Sequence, residues 1–198
     1  MSRVALIVLM SIAAASAGDK DNNRFSPGPA SSYPGHQTMD QITIAAVPYI
    51  ADEQAATAFG KVNPYKHDVM PVLVILQNDT GKALRLDLEV AFVDPDGKHI
   101  DATPASDVAR LGAVSRAPKI PGENPLPLPR RQKKGPLNTW EIEGRAFSAR
   151  MLPAGQSVHG FFYFQTVYKP GSRLYLNGIK DPASGKDYFY FEVPILRQ

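Results

Sequence analysis

Seven cations, Arg110, Arg116, Lys119, Arg130, Arg131, Lys133 and Lys134, lie between Arg110 and Pro136 against one carboxylate, Glu123. That segment carries +6 while the whole chain carries +3, so the remaining residues are net acidic and the basicity is one patch. Lysine and arginine at this density attract anions over long range, and arginine adds two-point recognition of carboxylate or phosphate. Arg116, Lys119, Arg130, Arg131, Lys133 and Lys134 are therefore the candidate binding residues. Prolines at 118, 121, 125, 127 and 129 fix the backbone and remove donors, which predicts an extended loop over about 110–136 rather than a paired strand. An acidic protein, an acidic glycan or a phosphorylated envelope lipid would suit it; the plain alternative is a solvated connection. Nucleic acid is disfavoured, because no aromatic side chain lies between Arg110 and Gly135 for bases to stack on.

A second candidate is aromatic. Alternation along two C-terminal runs, GFFYFQT and YFYFEV, places Phe161, Tyr163, Tyr188 and Tyr190 on one side and Phe162, Phe164, Phe189 and Phe191 on the other. The first set could form an exposed strip on which sugar rings stack, with the second in the core. In a strand, Glu141 and Glu143 would share a face and could serve such a carbohydrate-directed protein, binding or hydrolytic. The alternative is that both faces of these strands are covered.

Other chemistry finds little support. His36, His67, His99 and His159 have no metal-ligand spacing, and no serine sits in a G-x-S-x-G turn. Asp94-x-Asp96-Gly97 begins like a calcium loop, but its twelfth position is Ala105 where a bidentate glutamate is needed. A β-turn without metal is the better reading. The chain has no cysteine, which excludes thiolate metal sites, a cysteine nucleophile and a lipidated cysteine. The expectation is a non-enzymatic protein with no cofactor and no metal.

The elements that must position these residues begin after an export signal. Arg3, the apolar run Val4–Ala15 and Ala15-Ser16-Ala17 give the charged, hydrophobic and cleavage regions of a signal peptide over 1–17, too short to span a bilayer. The mature chain is expected to be periplasmic or secreted, with no transmembrane segment. Because it lacks disulfides, it must be held by its own core. Residues 18–41, rich in Gly, Pro, Ser, Asn and Asp, read as a disordered leader before a single domain over 42–198.

Within that domain Ile42, Ile44 and Ala46 alternate, Asp52 caps a short helix EQAATAF, and Gly60 closes it. Val72–Leu76 is a continuous apolar run, expected of a strand covered on both faces. Leu84, Leu86, Leu88, Val90 and Phe92 alternate with polar residues, and Asn78–Gly81 and Asp94–Gly97 read as turns joining three antiparallel strands. With Ser157–Val167, Arg173–Leu176 and Tyr188–Val193, about seven strands predict an all-β, immunoglobulin-like antiparallel sandwich with one or two short helices, an open barrel being the main alternative. The aromatic C-terminal strand could also accept a partner's strand at a sheet edge.

The stretches AFGKVNPYKHDVMPVLVILQND, LRLDLEVAFVDPDG, LPAGQSVHGFFYFQ and YFYFEVPI resemble exported bacterial immunoglobulin-like proteins without established activity. The resemblance covers most of Ile42–Ile195. It implies the fold and carries no catalytic residue.

Overall fold

The computed structural model describes residues 25–111, 135–137 and 139–197. Strands β1 (His36–Met39) and β2 (Ile42–Pro48) precede helix α1 (Asp52–Phe59), and β3 (Met70–Asn78), β4 (Leu84–Val93) and β5 (His99–Asp101) follow. Helices α2 (Ala105–Leu111) and α3 (Trp140–Gly144) flank the basic segment, and β6 (Met151–Leu152), β7 (Ser157–Phe164), β8 (Arg173–Lys180) and β9 (Phe191–Pro194) are the remaining described strands. They form two sheets whose strand pairings are antiparallel, in the orders β1-β2-β3-β7 and β5-β4-β8-β9, with β6 also on β4.

The continuous apolar run in β3 is explained by two cores. Met70, Val72, Val74 and Leu76 face the second sheet and pack with Leu84, Leu86, Phe92, Leu174, Leu176 and Phe191. Their alternates Leu73 and Ile75 face the other way, into a cluster with Ala55, Phe59, Val108, Leu137 and Ile142. The first sheet is thus covered on both faces, by the second sheet and by a layer of short helices. Each fully buried Val, Leu or Ile there contributes about 1.5–3 kcal/mol of transfer free energy. The second sheet has one polar face, where Arg85, Asp87, Arg173 and Glu192 are exposed.

Two expectations about chain path need correction. β3 and β4 do not pair as a hairpin; Asn78–Leu84 carries the chain from one sheet to the other. Fully buried Asn78 holds this arch: its Nδ2 donates to the carbonyls of Lys82, Leu152 and Pro153, and its Oδ1 accepts from Thr80 N and Oγ1. Packed structure also begins upstream of Ile42. Ala30 is buried and β1 pairs with β2 through a two-residue turn in which Asp40 and Gln41 both take positive φ, at 49° and 62°. Positive φ at both central positions matches the right-handed strand twist, although Asp-Gln is not the usual pair for it.

Smaller corrections concern the ends of elements. Ala51 is the N-cap of α1, and Asp52 is its first residue, with its carboxylate accepting from Asn63 and Lys66. Gly60 closes the helix at φ 65° as expected. The last strand is shorter than Tyr188–Val193, starting at Phe191. Phe191 and Val193 enter the core, but Phe189 is 74% exposed because the chain ahead of β9 is held irregularly by Tyr188 N to Ile179 O.

Candidate functional site

The basic residues Arg116, Lys119, Arg130, Arg131, Lys133 and Lys134 lie outside the described residues. What is placed is their anchorage. Leading into the segment, α2 buries Val108; leading out of it, Leu137 is fully buried and α3 buries Ile142. All three enter the same cluster on the helix side of the first sheet.

The aromatic strip is not assembled. Phe161 and Tyr163 are each 1% exposed, inside that helix-side cluster rather than on a solvated face. The covering elements come from residues 52–59, 105–111 and 140–144, all outside the strand whose alternation assigns the faces. Tyr163 Oη donates to the Ile142 carbonyl at 2.7 Å, and burial drives its pKa strongly upward. Tyr188 is half-buried against the inter-sheet core with Lys186 Nζ 4.6 Å from its ring centre. Tyr190 is exposed and stacks on Tyr175 at 5.1 Å. Glu141 and Glu143 lie on the single turn of α3, not on a strand. The edge of β9 is partly occupied, since Glu192 N donates to Gln37 Oε1 at 3.0 Å.

Asp94 serves its turn. Its carboxylate accepts from Asp96 N, Lys98 N and Lys169 Nζ, and the lysine bond is the main cause holding its pKa below the usual carboxylate range. Among the described residues no cluster of three or more His, Asp or Glu side chains is placed to hold a metal ion.

A pocket on the helix side of the first sheet joins Phe161 and His159 to residues with no assigned role in the sequence reading. After α3 the chain turns at Arg145 and runs beside β7: Phe161 N donates to Arg145 O at 2.8 Å and Phe147 N to Phe161 O at 3.0 Å. This close approach requires Gly160, where a Cβ would meet the backbone of Phe147, with its N at 2.7 Å. The two bonds fix Arg145 at the mouth of a cavity of about 510 Å³ lined by Phe25, Ser26, Trp140, Ser148, His159 and Phe161 together with Gly144 and Ala146.

The guanidinium carbon of Arg145 lies 5.2 Å from the Phe25 ring centre and 6.0 Å from that of Trp140. Cations are attracted to aromatic faces at such distances. Among the described residues Arg145 has no carboxylate partner within 4.0 Å, and its buried Nε has no hydrogen-bond partner. Burial is the main cause lowering the pKa of His159, and the Arg145 charge adds to it against a raising hydrogen bond from the Phe25 backbone. Among the described residues no acid lines the cavity. Trp140 is 65% exposed, leaving most of an indole free at the rim. The signal available in the sequence was Gly160 itself, since an isolated glycine within a strand marks a close backbone approach.

Among the described residues no helix is long and apolar enough to cross a membrane. No family model and no curated protein matches the chain. Among solved structures it is similar to the yjhA protein from Bacillus subtilis, with 9% identity and a TM-score of 0.45 over 82% of this chain and 97% of that one. It is also similar to the putative ApaA protein from Bordetella pertussis, with 13% identity and a TM-score of 0.32 over 82% of this chain and 90% of that one.

Proposed function

We propose that the chain is a non-catalytic, exported binding protein built on an immunoglobulin-like sandwich, and that it takes an acidic partner on the helix-covered side of its first sheet. The observation that carries this reading is the anchorage of the basic segment. The described residues on both sides of it, Val108 and Leu137, are buried in the cluster that also contains Phe161, which lines the cavity of Arg145. The segment supplies long-range attraction and the packed layer a fixed surface on which the encounter ends. A signal-like N-terminus and the absence of cysteine support action in the bacterial envelope or beyond it. The partner class is an acidic protein, glycan or lipid surface.

The test is capture from envelope extract at low and high salt, comparing the native chain with a variant carrying Arg130→Glu, Arg131→Glu, Lys133→Glu and Lys134→Glu. A specific component lost on both salt addition and charge reversal is the expected result. Capture indifferent to both would refute the reading and favour a carbohydrate partner at Tyr175 and Tyr190.

A further inference from the structure

We propose that the cavity beneath α3 binds a small monocarboxylate carrying an apolar ring, with Arg145 holding the carboxylate and Trp140 and Phe25 flanking the ring. This deepens the binding reading above, at the same face of the molecule, but concerns a ligand distinct from the acidic partner.

Three features select the ligand. The first is charge: among the described residues Arg145 has no acidic partner within 4.0 Å and is the one arginine or lysine lining the cavity. One cation beside a histidine biased toward its neutral form suits a monoanion better than a phosphate dianion. The second is geometry. The guanidinium lies against two aromatic rings, and the planar donor fork matches a carboxylate through paired hydrogen bonds. The third is the wall. Phe25, Trp140 and Phe161 supply apolar surface, the Ser26 and Ser148 hydroxyls supply further donors, and about 510 Å³ falls in the range of small-molecule sites. An apolar anion uses all three; a bare carboxylate uses only the first two.

Trp140 is the only tryptophan in the chain, so its indole N–H gives one resonance that reports on the rim. Benzoate titrated against the purified chain should shift that resonance saturably. Benzamide, which keeps the ring without the charge, and acetate, which keeps the charge without the ring, should each bind about tenfold more weakly. Arg145→Gln should remove the preference for benzoate over benzamide. Should that variant fail to fold, the comparison of benzoate with benzamide on the native chain decides alone. No saturable shift with benzoate, or an equal response to benzamide, overturns the assignment. The four-site glutamate variant separates the two claims, because it retains Arg145. Benzoate binding kept while partner capture is lost supports both, and capture that depends on the basic residues without benzoate binding overturns the cavity assignment alone.

Discussion

Gly160→Ala tests whether the first sheet holds Arg145 in place. In β7 this glycine faces the Arg145–Phe147 segment, and a methyl group would run into the Phe147 backbone rather than into a flexible side chain. The segment must move outward, stretching Phe161 N to Arg145 O at 2.8 Å and Phe147 N to Phe161 O at 3.0 Å. Each backbone bond is worth about 1 kcal/mol net, and overpacking of a tight site adds about 1–3 kcal/mol. The expected loss is about 3–5 kcal/mol, or roughly 6–20 °C in Tm for a domain of this size. That is within the stability of an ordinary domain, so the variant should remain folded at room temperature. Urea unfolding gives the free energy, and hydrogen exchange at the Phe161 amide reports the broken contact locally. A variant as stable as the native chain, with the Phe161 amide equally protected, would refute the close approach and with it the positioning of Arg145.

Burial predicts a sharp contrast between two phenylalanines of the aromatic runs. Phe161→Ala should cost about 3–5 kcal/mol in urea unfolding, whereas exposed Phe189→Ala should stay within about 0.5 kcal/mol; similar losses would contradict the assignment of faces. His159 should make stability depend on pH in one direction. Its folded pKa lies below 6.5, chiefly through burial, so the unfolded chain takes up the proton first as pH falls. The stabilising contribution is complete above 6.5 and declines below it, and His159→Gln should flatten stability across that window. Asp181 acts at lower pH. Bonds from Ser184 and Lys82 hold its pKa well below 3.8, so its contribution is present above 3.8 and is lost as pH falls from there. Unchanged slopes for the His159 variant would remove that histidine from the explanation.

Alternation and apolar runs made much of the β content legible. Met70–Asn78 reads as covered on both faces because seven of its first seven residues are apolar or proline, and the two cores explain why both faces are needed. Period two assigns faces but not neighbours, which is why β3 and β4 seemed a hairpin although the Asn78 arch separates them. For the same reason Phe161 and Tyr163 were readable as one side of a strand, but what covers that side comes from helices outside the strand. Trp140–Gly144 is a single helical turn, too short to show a period, so Glu141 and Glu143 gave a misleading strand pattern. Arg145 follows Glu141 and Glu143 in sequence, a spacing that points to ordinary surface pairing. Its place at the cavity depends on a turn that sends it toward Phe25, an aromatic in a polar stretch. The basic segment is evident from composition alone, and its residues 112–134 lie outside the described structure.

An acidic partner met by this chain should dock on the helix-covered side of the first sheet. Hydrogen exchange of the chain with and without its captured partner measures this most directly. Binding there should protect the basic segment and Trp140–Phe147 and leave β4 and β8 unchanged. Protection confined to the polar face of the second sheet, around Tyr175 and Tyr190, would contradict it.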